Sequence, residues 1–163
     1  VESPDKRAEL VIDSVREFAK PEYGVDLFKL ETPLPGSALP ERSDSADSRA
    51  AASEFDAVGS ICREAGIPCV MLSGGVTPEQ FGRVLSYAYA AGAQGFLAGR
   101  TIWLDAIQSA FPDEAKVLAL LEADGKQRLD RLTQLTREVA QPWRFPAAEG
   151  VFTREGAFAA SYA

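Results

Sequence analysis

The order of apolar runs and amphipathic segments most restricts the fold of this chain. Short buried strands are predicted over 25–31, 68–72 and 94–98, and segments with helical spacing of apolar residues separate them. Strands that alternate with helices form a parallel α/β sheet with right-handed crossovers. A doubly wound open sheet and a (β/α)8 barrel both have this order. Because a barrel takes about 250 residues, three strands in 163 residues fit an open sheet or the C-terminal portion of a barrel.

The predicted helices have recognisable ends. Ser3-Pro4 is typical of a helix start, and the segment that it opens ends before Pro21. Thr77 and Gln80 form a capping-box pattern with proline between them at the first helical position. Helices after the first are predicted over 50–65, 77–91, 101–110 and, with an interruption near Gly125, 113–139.

Two stretches of the chain have no clear helix or strand period. The polar, proline-containing segment 33–49 is long for a strand-to-helix loop, and such loops are often functional or mobile. The stretch after 139 is rich in aromatic residues, proline and glycine. We therefore divide the chain into a domain over 1–139 and a C-terminal tail over 140–163. Because the first residue is Val1 rather than methionine, we expect that an N-terminal portion is missing.

The composition disfavours several partners and mechanisms. With 17 basic and 24 acidic side chains the formal charge is -7, and binding to a phosphate backbone needs a basic face, so no nucleic acid is expected. No apolar run approaches the ~20 residues of a membrane span, and no signal peptide is evident, so no membrane partner is expected.

The absence of histidine excludes imidazole catalysis within this chain. The cysteines, Cys62 and Cys69, are too few for a stapled secreted fold and favour a reducing cytoplasm.

The first predicted strand contains a lysine, Lys29, between apolar residues. A lysine is almost never fully buried without a partner. Because desolvation disfavours an ammonium, a buried lysine can be a neutral amine that forms a Schiff base with a carbonyl substrate. Glu31 lies two residues on and is predicted on the same strand face, where it could pair with the ammonium or move protons. The alternative is a lysine near a strand end whose ammonium reaches solvent.

Glycine-containing turns follow the second and third predicted strands. Ser73-Gly74-Gly75 precedes the capped helix, and Gly99-Arg100 opens the next one. Glycines let a backbone approach an anion, and a helix N-terminus and an arginine both attract phosphate. Because both turns lie at the same end of adjacent parallel strands, together they indicate one phosphate site. An ordinary glycine turn and an arginine paired on the surface remain the alternatives. No metal-binding pattern is evident.

Three motifs, in this order and spacing, resemble the class I tagatose-1,6-bisphosphate aldolase family, which includes the sulfofructose-phosphate aldolases. They are DLFKLETP over 26–33, LSGGV over 72–76 and GFLAGRTIW over 95–103. The resemblance covers roughly 3–139. It implies a (β/α)8 TIM barrel of which this chain holds about strands six to eight with their helices. The first half of the family's barrel has no counterpart in this chain, and the loop after Pro33 differs from the family's.

The resemblance also implies roles for individual residues. Lys29 would be the Schiff-base lysine, and Ser73, Gly74, Gly99 and Arg100 would bind the phosphate or sulfonate end of the sugar. The implied reaction cleaves a ketose phosphate, such as tagatose 1,6-bisphosphate or a sulfofructose phosphate, into dihydroxyacetone phosphate and an aldehyde. Because an iminium accepts the electrons of the broken bond, no metal or other cofactor is expected.

Two other functions stay open at this point. One is a non-catalytic half-barrel that binds a phosphosugar, and the other is a phosphosugar isomerase or epimerase that shares only the phosphate site. In every case the expected ligand is a small sugar phosphate. Because a partial barrel exposes strand edges and its inner sheet face, we also expect a homo-oligomer. Trapping of an imine would separate the aldolase from the other two functions.

Overall fold

A computed structural model describes residues 4–143 of the chain, with side chains from residue 6 onward. Its centre is a three-stranded parallel sheet of order β1-β2-β3. The strands are β1 (Phe28–Leu30), β2 (Cys69–Leu72) and β3 (Gly95–Leu97). Helices separate the strands in sequence, so the chain has the α/β fold with a parallel sheet that the alternation of elements predicts.

Each strand is shorter than its apolar run. The first ladder begins where the Phe28 N–H donates to the Pro68 carbonyl at 2.9 Å, and it ends where Leu30 lies opposite Met71. Residues 25–27 lie outside this ladder, although the strand was predicted to begin at 25. An apolar run marks buried positions rather than backbone pairing, so it extends beyond the residues that are paired in the ladder.

Six α-helices lie within residues 4–143. They are α1 (Pro4–Phe18), α2 (Ala46–Ala65), α3 (Pro78–Ala90), α4 (Arg100–Ala110), α5 (Glu114–Leu120) and α6 (Lys126–Val139). The predicted capping box of α3 is present, with Thr77 and Gln80 each accepting from the other's backbone N–H. The predicted N-cap Ser3 and most of the 140–163 tail lie outside the described residues. No helix in the described part is long and apolar enough to cross a membrane.

The start of α2 corrects the sequence prediction by four residues. The helix was predicted from residue 50, because the Ser- and Asp-rich stretch before it is typical of a loop. In the structure Ser45 is the N-cap, and its side-chain oxygen accepts from the Ser48 N–H at 3.2 Å. Serine and aspartate are also the preferred residues of a helix start, so α2 begins at Ala46 and the preceding loop is shorter than predicted.

The interruption predicted near Gly125 is a π-helical turn over Leu121–Gly125, which joins α5 directly to α6. Gly125 is buried there, and a Cβ atom on it would lie 3.3 Å from a methyl group of Leu121. The chain therefore continues in a helical path through the point where a break was expected.

Helices cover one face of the sheet. Phe28, Leu30 and Met71 are buried on that face, and Phe96 packs edge-on against Phe81 of α3 with ring centroids 6.0 Å apart. Side chains that alternate with these point to the opposite face. We call that opposite face the open face, and it carries Lys29, Val70, Leu72 and Leu97. Lys29 and Leu97 are exposed, whereas Val70 and Leu72 are half-buried.

The long loop between β1 and α2 is held by buried polar contacts in its second half. The Tyr87 hydroxyl donates to the Pro40 carbonyl at 3.3 Å. The Ser48 hydroxyl lies 2.8 Å from the Tyr87 hydroxyl and accepts from the Ser43 N–H at 2.9 Å. Hydrogen bonds with buried partners are costly to leave unmade, so this part of the loop is fixed against α3.

α2 packs closely against the end of α3 at Gly59. A Cβ atom at this position would lie 2.1 Å from the carbonyl oxygen of Ala91, which directly follows α3. No L side chain fits at that distance, so glycine is required for α2 and the end of α3 to pack in this way.

We expect Gly59→Ala to lower the free energy of unfolding by about 3 kcal/mol, because the added methyl group forces the two helices apart. Urea unfolding followed by circular dichroism measures this change. The matched control is Gly82→Ala in α3, where a Cβ atom has no neighbour within 4 Å. The control should raise stability by about 0.5 to 1 kcal/mol through helix propensity. Equal effects of the two substitutions would contradict the close approach.

Candidate functional site

A cavity of about 310 Å³ lies at the carboxyl ends of the strands, and we call it the upper cavity. Its wall is built by the loop after β1, the turn after β2, the start of α4 and one side chain of α1. The polar residues that line it include Arg7, Glu31, Ser37, Ser73 and Arg100. Ligands of parallel α/β sheets bind at this edge, so the position of the upper cavity is that of a functional site.

The turn after β2 depends on two glycines. Gly74 and Gly75 have φ angles of 63° and 83°, a region that other residues rarely adopt. The turn is docked onto β3 because the Ser73 N–H donates to the Leu97 carbonyl at 3.0 Å. Ser73 is buried at the base of this turn, and Gly74 lines the upper cavity.

Arg100, the first residue of α4, lies against the same turn. Its guanidinium donates to the Gly74 carbonyl at 3.4 Å, and a Cβ atom on Gly75 would lie 3.1 Å from its Cζ. The next residue, Thr101, donates its hydroxyl to the Val76 carbonyl at 2.7 Å. The structure therefore brings the two glycine-containing turns together, with the arginine exposed at the cavity wall.

Two of the candidate anion-binding residues, Gly75 and Gly99, do not line the upper cavity. Gly75 lies beneath the Arg100 guanidinium, so its lack of a side chain makes room for that group. Gly99 is the N-cap of α4, and its carbonyl accepts from the Ile102 N–H at 2.7 Å. Their contributions in this structure are therefore to the position of Arg100 and to the start of α4.

Lys29 is exposed, which is the alternative in which its ammonium reaches solvent. Its neighbours Phe28 and Leu30 face the helices, whereas Lys29 points to the open face. It lines a second recess of about 270 Å³ between α1 and β1, and it does not line the upper cavity. The two recesses share Arg7 and Glu31 in their walls, so they adjoin each other.

Glu31 forms no ion pair with Lys29, which was one of the two roles considered for it. β1 ends at Leu30, and the Glu31 carboxylate instead accepts from the Arg7 guanidinium at 2.9 Å. The same guanidinium donates to the Thr32 carbonyl at 3.1 Å. One arginine of α1 thus holds both the carboxylate and the backbone where the chain leaves the strand.

Sequence reasoning did not identify Arg7. Its two partners lie 24 and 25 residues away in the chain, so no local spacing marks it. It also belongs to a helix whose other features indicate only an amphipathic segment. Packing of α1 beside β1 is what brings this second guanidinium into the wall of the upper cavity.

No group of three or more His, Cys, Asp or Glu side chains within the described residues is placed to hold a metal ion. The polar groups of the upper cavity are two guanidinium groups, a carboxylate, hydroxyl groups and a glycine turn. Such a set can bind an anion and can exchange a proton with it.

Comparison with known proteins identifies the family. The sequence pattern of the DeoC/LacD family aldolases matches residues 2–105. The chain belongs to this family. The family resemblance drawn from the three motifs is thereby confirmed.

Individual relatives of this DeoC/LacD family chain have names that specify one kind of aldolase within the family. A tagatose 1,6-diphosphate aldolase of Listeria monocytogenes serotype 4a is 34% identical over 139 residues, which is 80% of this chain and 39% of that protein. Tagatose 1,6-diphosphate aldolase 1 of Enterococcus faecalis is 32% identical over 80% of this chain and 41% of its own length. The chain therefore spans about two fifths of the length of the curated relatives it matches.

We expect Arg7→Ala to lower the free energy of unfolding by about 1 kcal/mol, because the Thr32 carbonyl and the Glu31 carboxylate lose their donor. Hydrogen exchange should become faster over residues 31–40. Urea unfolding and hydrogen exchange read by mass spectrometry measure the two effects. The matched control is Arg16→Ala, which removes an exposed pair with Asp13 within α1 and should cost less than about 0.5 kcal/mol. Unchanged exchange over 31–40 would contradict the role of Arg7.

Proposed function

We propose that this chain is the C-terminal portion of a class I aldolase that cleaves a ketose phosphate through a Schiff base on Lys29. One observation carries the proposal. The upper cavity gathers Ser73, Gly74 and Arg100 at the carboxyl ends of the strands, and it adjoins the recess that holds Lys29. An anion site next to an exposed amine is what a phosphorylated ketone would require.

The architecture that we propose is a (β/α)8 barrel of which β1 to β3 are strands six to eight. Two observations support it. The helices cover a single face of the parallel sheet, as they do in a barrel, and the matched relatives are more than twice as long as the part that aligns. In that architecture the open face is the inner wall of the barrel. Completion of the barrel by further strands would remove water from around Lys29. We also propose that the chain functions as a homo-oligomer.

The anion site would hold the phosphate or sulfonate end of the substrate. Arg100 would provide a guanidinium and the Ser73-Gly74 turn a hydroxyl and backbone groups. The chain as a whole carries a formal charge of -7, so an anion must be held by local positive charge. Arg7 and Arg100 are the two guanidinium groups that the upper cavity offers.

The proposed chemistry needs an amine, a proton carrier and an anion site. The neutral amine of Lys29 adds to the C2 carbonyl carbon of the ketose, and loss of water leaves an iminium. Removal of the proton from the C4 hydroxyl breaks the C3–C4 bond, which releases an aldehyde, and the bonding electrons form an enamine on the lysine nitrogen. Protonation at C3 and addition of water then release a dihydroxyacetone phosphate and restore the amine.

Glu31 is the carboxylate nearest in the chain to Lys29 and the one that lines both recesses. We propose that it carries a proton between water and the imine intermediates. Its hydrogen bond to Arg7 sets the position of the carboxylate, which makes Arg7 a positioning residue in this proposal. The named relatives act on tagatose 1,6-diphosphate, so a ketose bisphosphate or a sulfofructose phosphate is the proposed substrate class.

A phosphosugar-binding half-barrel without catalysis is the second candidate. The observation in its favour is that Lys29 lies outside the wall of the upper cavity and is exposed. This function needs the anion site alone, and it predicts binding of a phosphosugar with no covalent product.

Borohydride trapping distinguishes the two functions. We expect incubation with dihydroxyacetone phosphate and borohydride to add to the wild-type chain the mass of one ligand molecule less one oxygen atom. Lys29→Arg keeps the charge but cannot form this imine, so it should give no adduct. Lys116→Arg, an exposed control on α5, should react like the wild type. Intact-mass spectrometry is the measurement. Phosphosugar binding without an adduct, when the same experiment is made on the full-length protein that completes the proposed barrel, would contradict the aldolase and support the second candidate.

The anion site has a test of its own. We expect Arg100→Ala to weaken binding of inorganic phosphate and of dihydroxyacetone phosphate about tenfold, because a charge-assisted contact is lost. Titration followed by NMR chemical shifts measures the dissociation constants. Arg137→Ala on α6, which does not line the upper cavity, should leave them unchanged. Equal affinities of the wild type and Arg100→Ala would show that the anion binds elsewhere.

A further inference from the structure

Two buried thiols lie at the end of the sheet opposite to the upper cavity. Cys62 belongs to the last turns of α2, and Cys69 is the first residue of β2. Both side chains are buried, with 4% of each residue exposed. The connection between them turns back at Gly66, which has a φ of 69°, and the Ile67 N–H donates to the Cys62 carbonyl at 3.0 Å. This tight turn brings the helix end and the strand start side by side.

The two thiols lie at the two ends of this turn. Cys69 faces α2, because it shares a small recess with Phe55, Val58 and Gly59 of that helix. Both thiols therefore lie where α2 meets the start of β2, rather than in separate parts of the core. Neither thiol has a role in the proposed aldolase reaction.

Both thiols line an open cavity of about 410 Å³ at the amino ends of the strands, and we call it the lower cavity. Arg63, Gln94 and Trp143 also contribute to its wall. The side-chain oxygen of Gln94 is buried and has no hydrogen-bond partner among the described residues. The lower cavity gives a small molecule a route to both thiols.

The surroundings distinguish the two cysteines. The interaction with Cys62 lowers the pKa of the Cys69 thiol, burial opposes this effect, and the Arg63 guanidinium lowers the pKa further. The interaction with Cys69 and burial raise the pKa of the Cys62 thiol, and the Arg63 guanidinium lowers it by less. Arg63 is held in place by a hydrogen bond to the Ser60 hydroxyl at 2.9 Å and by one to the Ala91 carbonyl. Cys69 is thus the thiol of the pair that more readily loses its proton, and the thiolate is the form that attacks a peroxide.

We propose that Cys62 and Cys69 form a peroxide-reactive dithiol that closes reversibly into an intramolecular disulfide. The Cys69 thiolate attacks one oxygen of a hydroperoxide, the O–O bond breaks, and a sulfenic acid forms on Cys69 while water or an alcohol leaves. The Cys62 sulfur then attacks the Cys69 sulfur, the S–O bond breaks, and a second oxygen leaves as water with the thiol proton. Two thiols are oxidised and one peroxide is reduced.

This reactivity is separate from the proposed aldolase function, because it uses neither Lys29 nor the upper cavity. In a reducing compartment a disulfide of this kind is transient and is reopened by a thiol reductant. Trypsin cleavage after Arg49, Arg63 and Arg83 places the two cysteines in different peptides, 50–63 and 64–83. The disulfide can therefore be detected directly as a linked pair of peptides.

The test is treatment of the native protein with hydrogen peroxide, followed by alkylation and mass spectrometry. We expect the intact mass to fall by two hydrogen atoms and peptides 50–63 and 64–83 to be linked, and dithiothreitol should reverse both changes. Non-reducing electrophoresis should show a monomeric chain. Linkage between chains, independent oxidation of each cysteine to a sulfinic acid, or unreacted thiols in the folded protein would each overturn the proposal.

Two serine variants test the assigned roles. Cys62→Ser should leave Cys69 reactive, so that a sulfenic acid accumulates and is labelled by dimedone on peptide 64–83. Cys69→Ser should show no dimedone label on peptide 50–63 at the same peroxide dose. Because dimedone does not label oxidised methionine, Met71 in peptide 64–83 does not confuse the result. Equal labelling of the two variants would overturn the assignment of Cys69 as the attacking thiol.

Discussion

Parallel pairing of β2 with both of its neighbours is the constraint on which the candidate site depends. Val70 lies opposite Lys29 on one side and Gly95 on the other, so the three strands run in one register and end at one edge. The turn after β2 is then anchored to β3 through the Ser73–Leu97 hydrogen bond. The Ser73-Gly74 turn and Arg100 of the upper cavity take their positions from this edge.

The sheet is packed on one face only, and this asymmetry accounts for the surroundings of Lys29. Its neighbours Phe28 and Leu30 belong to the buried core on the helix-covered face, whereas Lys29 projects from the open face and lines a recess beside α1. In the proposed barrel the open face is the inner wall, which further strands would cover. The amine would then be desolvated by those strands rather than by the helices described here.

The two ends of the sheet carry different chemistry. At the carboxyl end, guanidinium groups, a carboxylate and a glycine turn surround a cavity suited to an anion. At the amino end, Cys62 and Cys69 share a cavity with Arg63 and Gln94. Because parallel strands place all their amino ends together and all their carboxyl ends together, one small sheet separates the proposed anion site from a thiol pair.

The sequence by itself determined the alternation of strands and helices, the capping box at Thr77 and the meeting of the Ser73 and Arg100 turns. These features follow from local periodicity, from short-range hydrogen bonds and from the order of parallel strands. Only the tertiary structure decided that Arg7 holds Glu31, that Lys29 is exposed, and that Gly59 admits the end of α3. Those outcomes depend on which helix packs on which face of the sheet, and neither local periodicity nor the order of parallel strands specifies that packing.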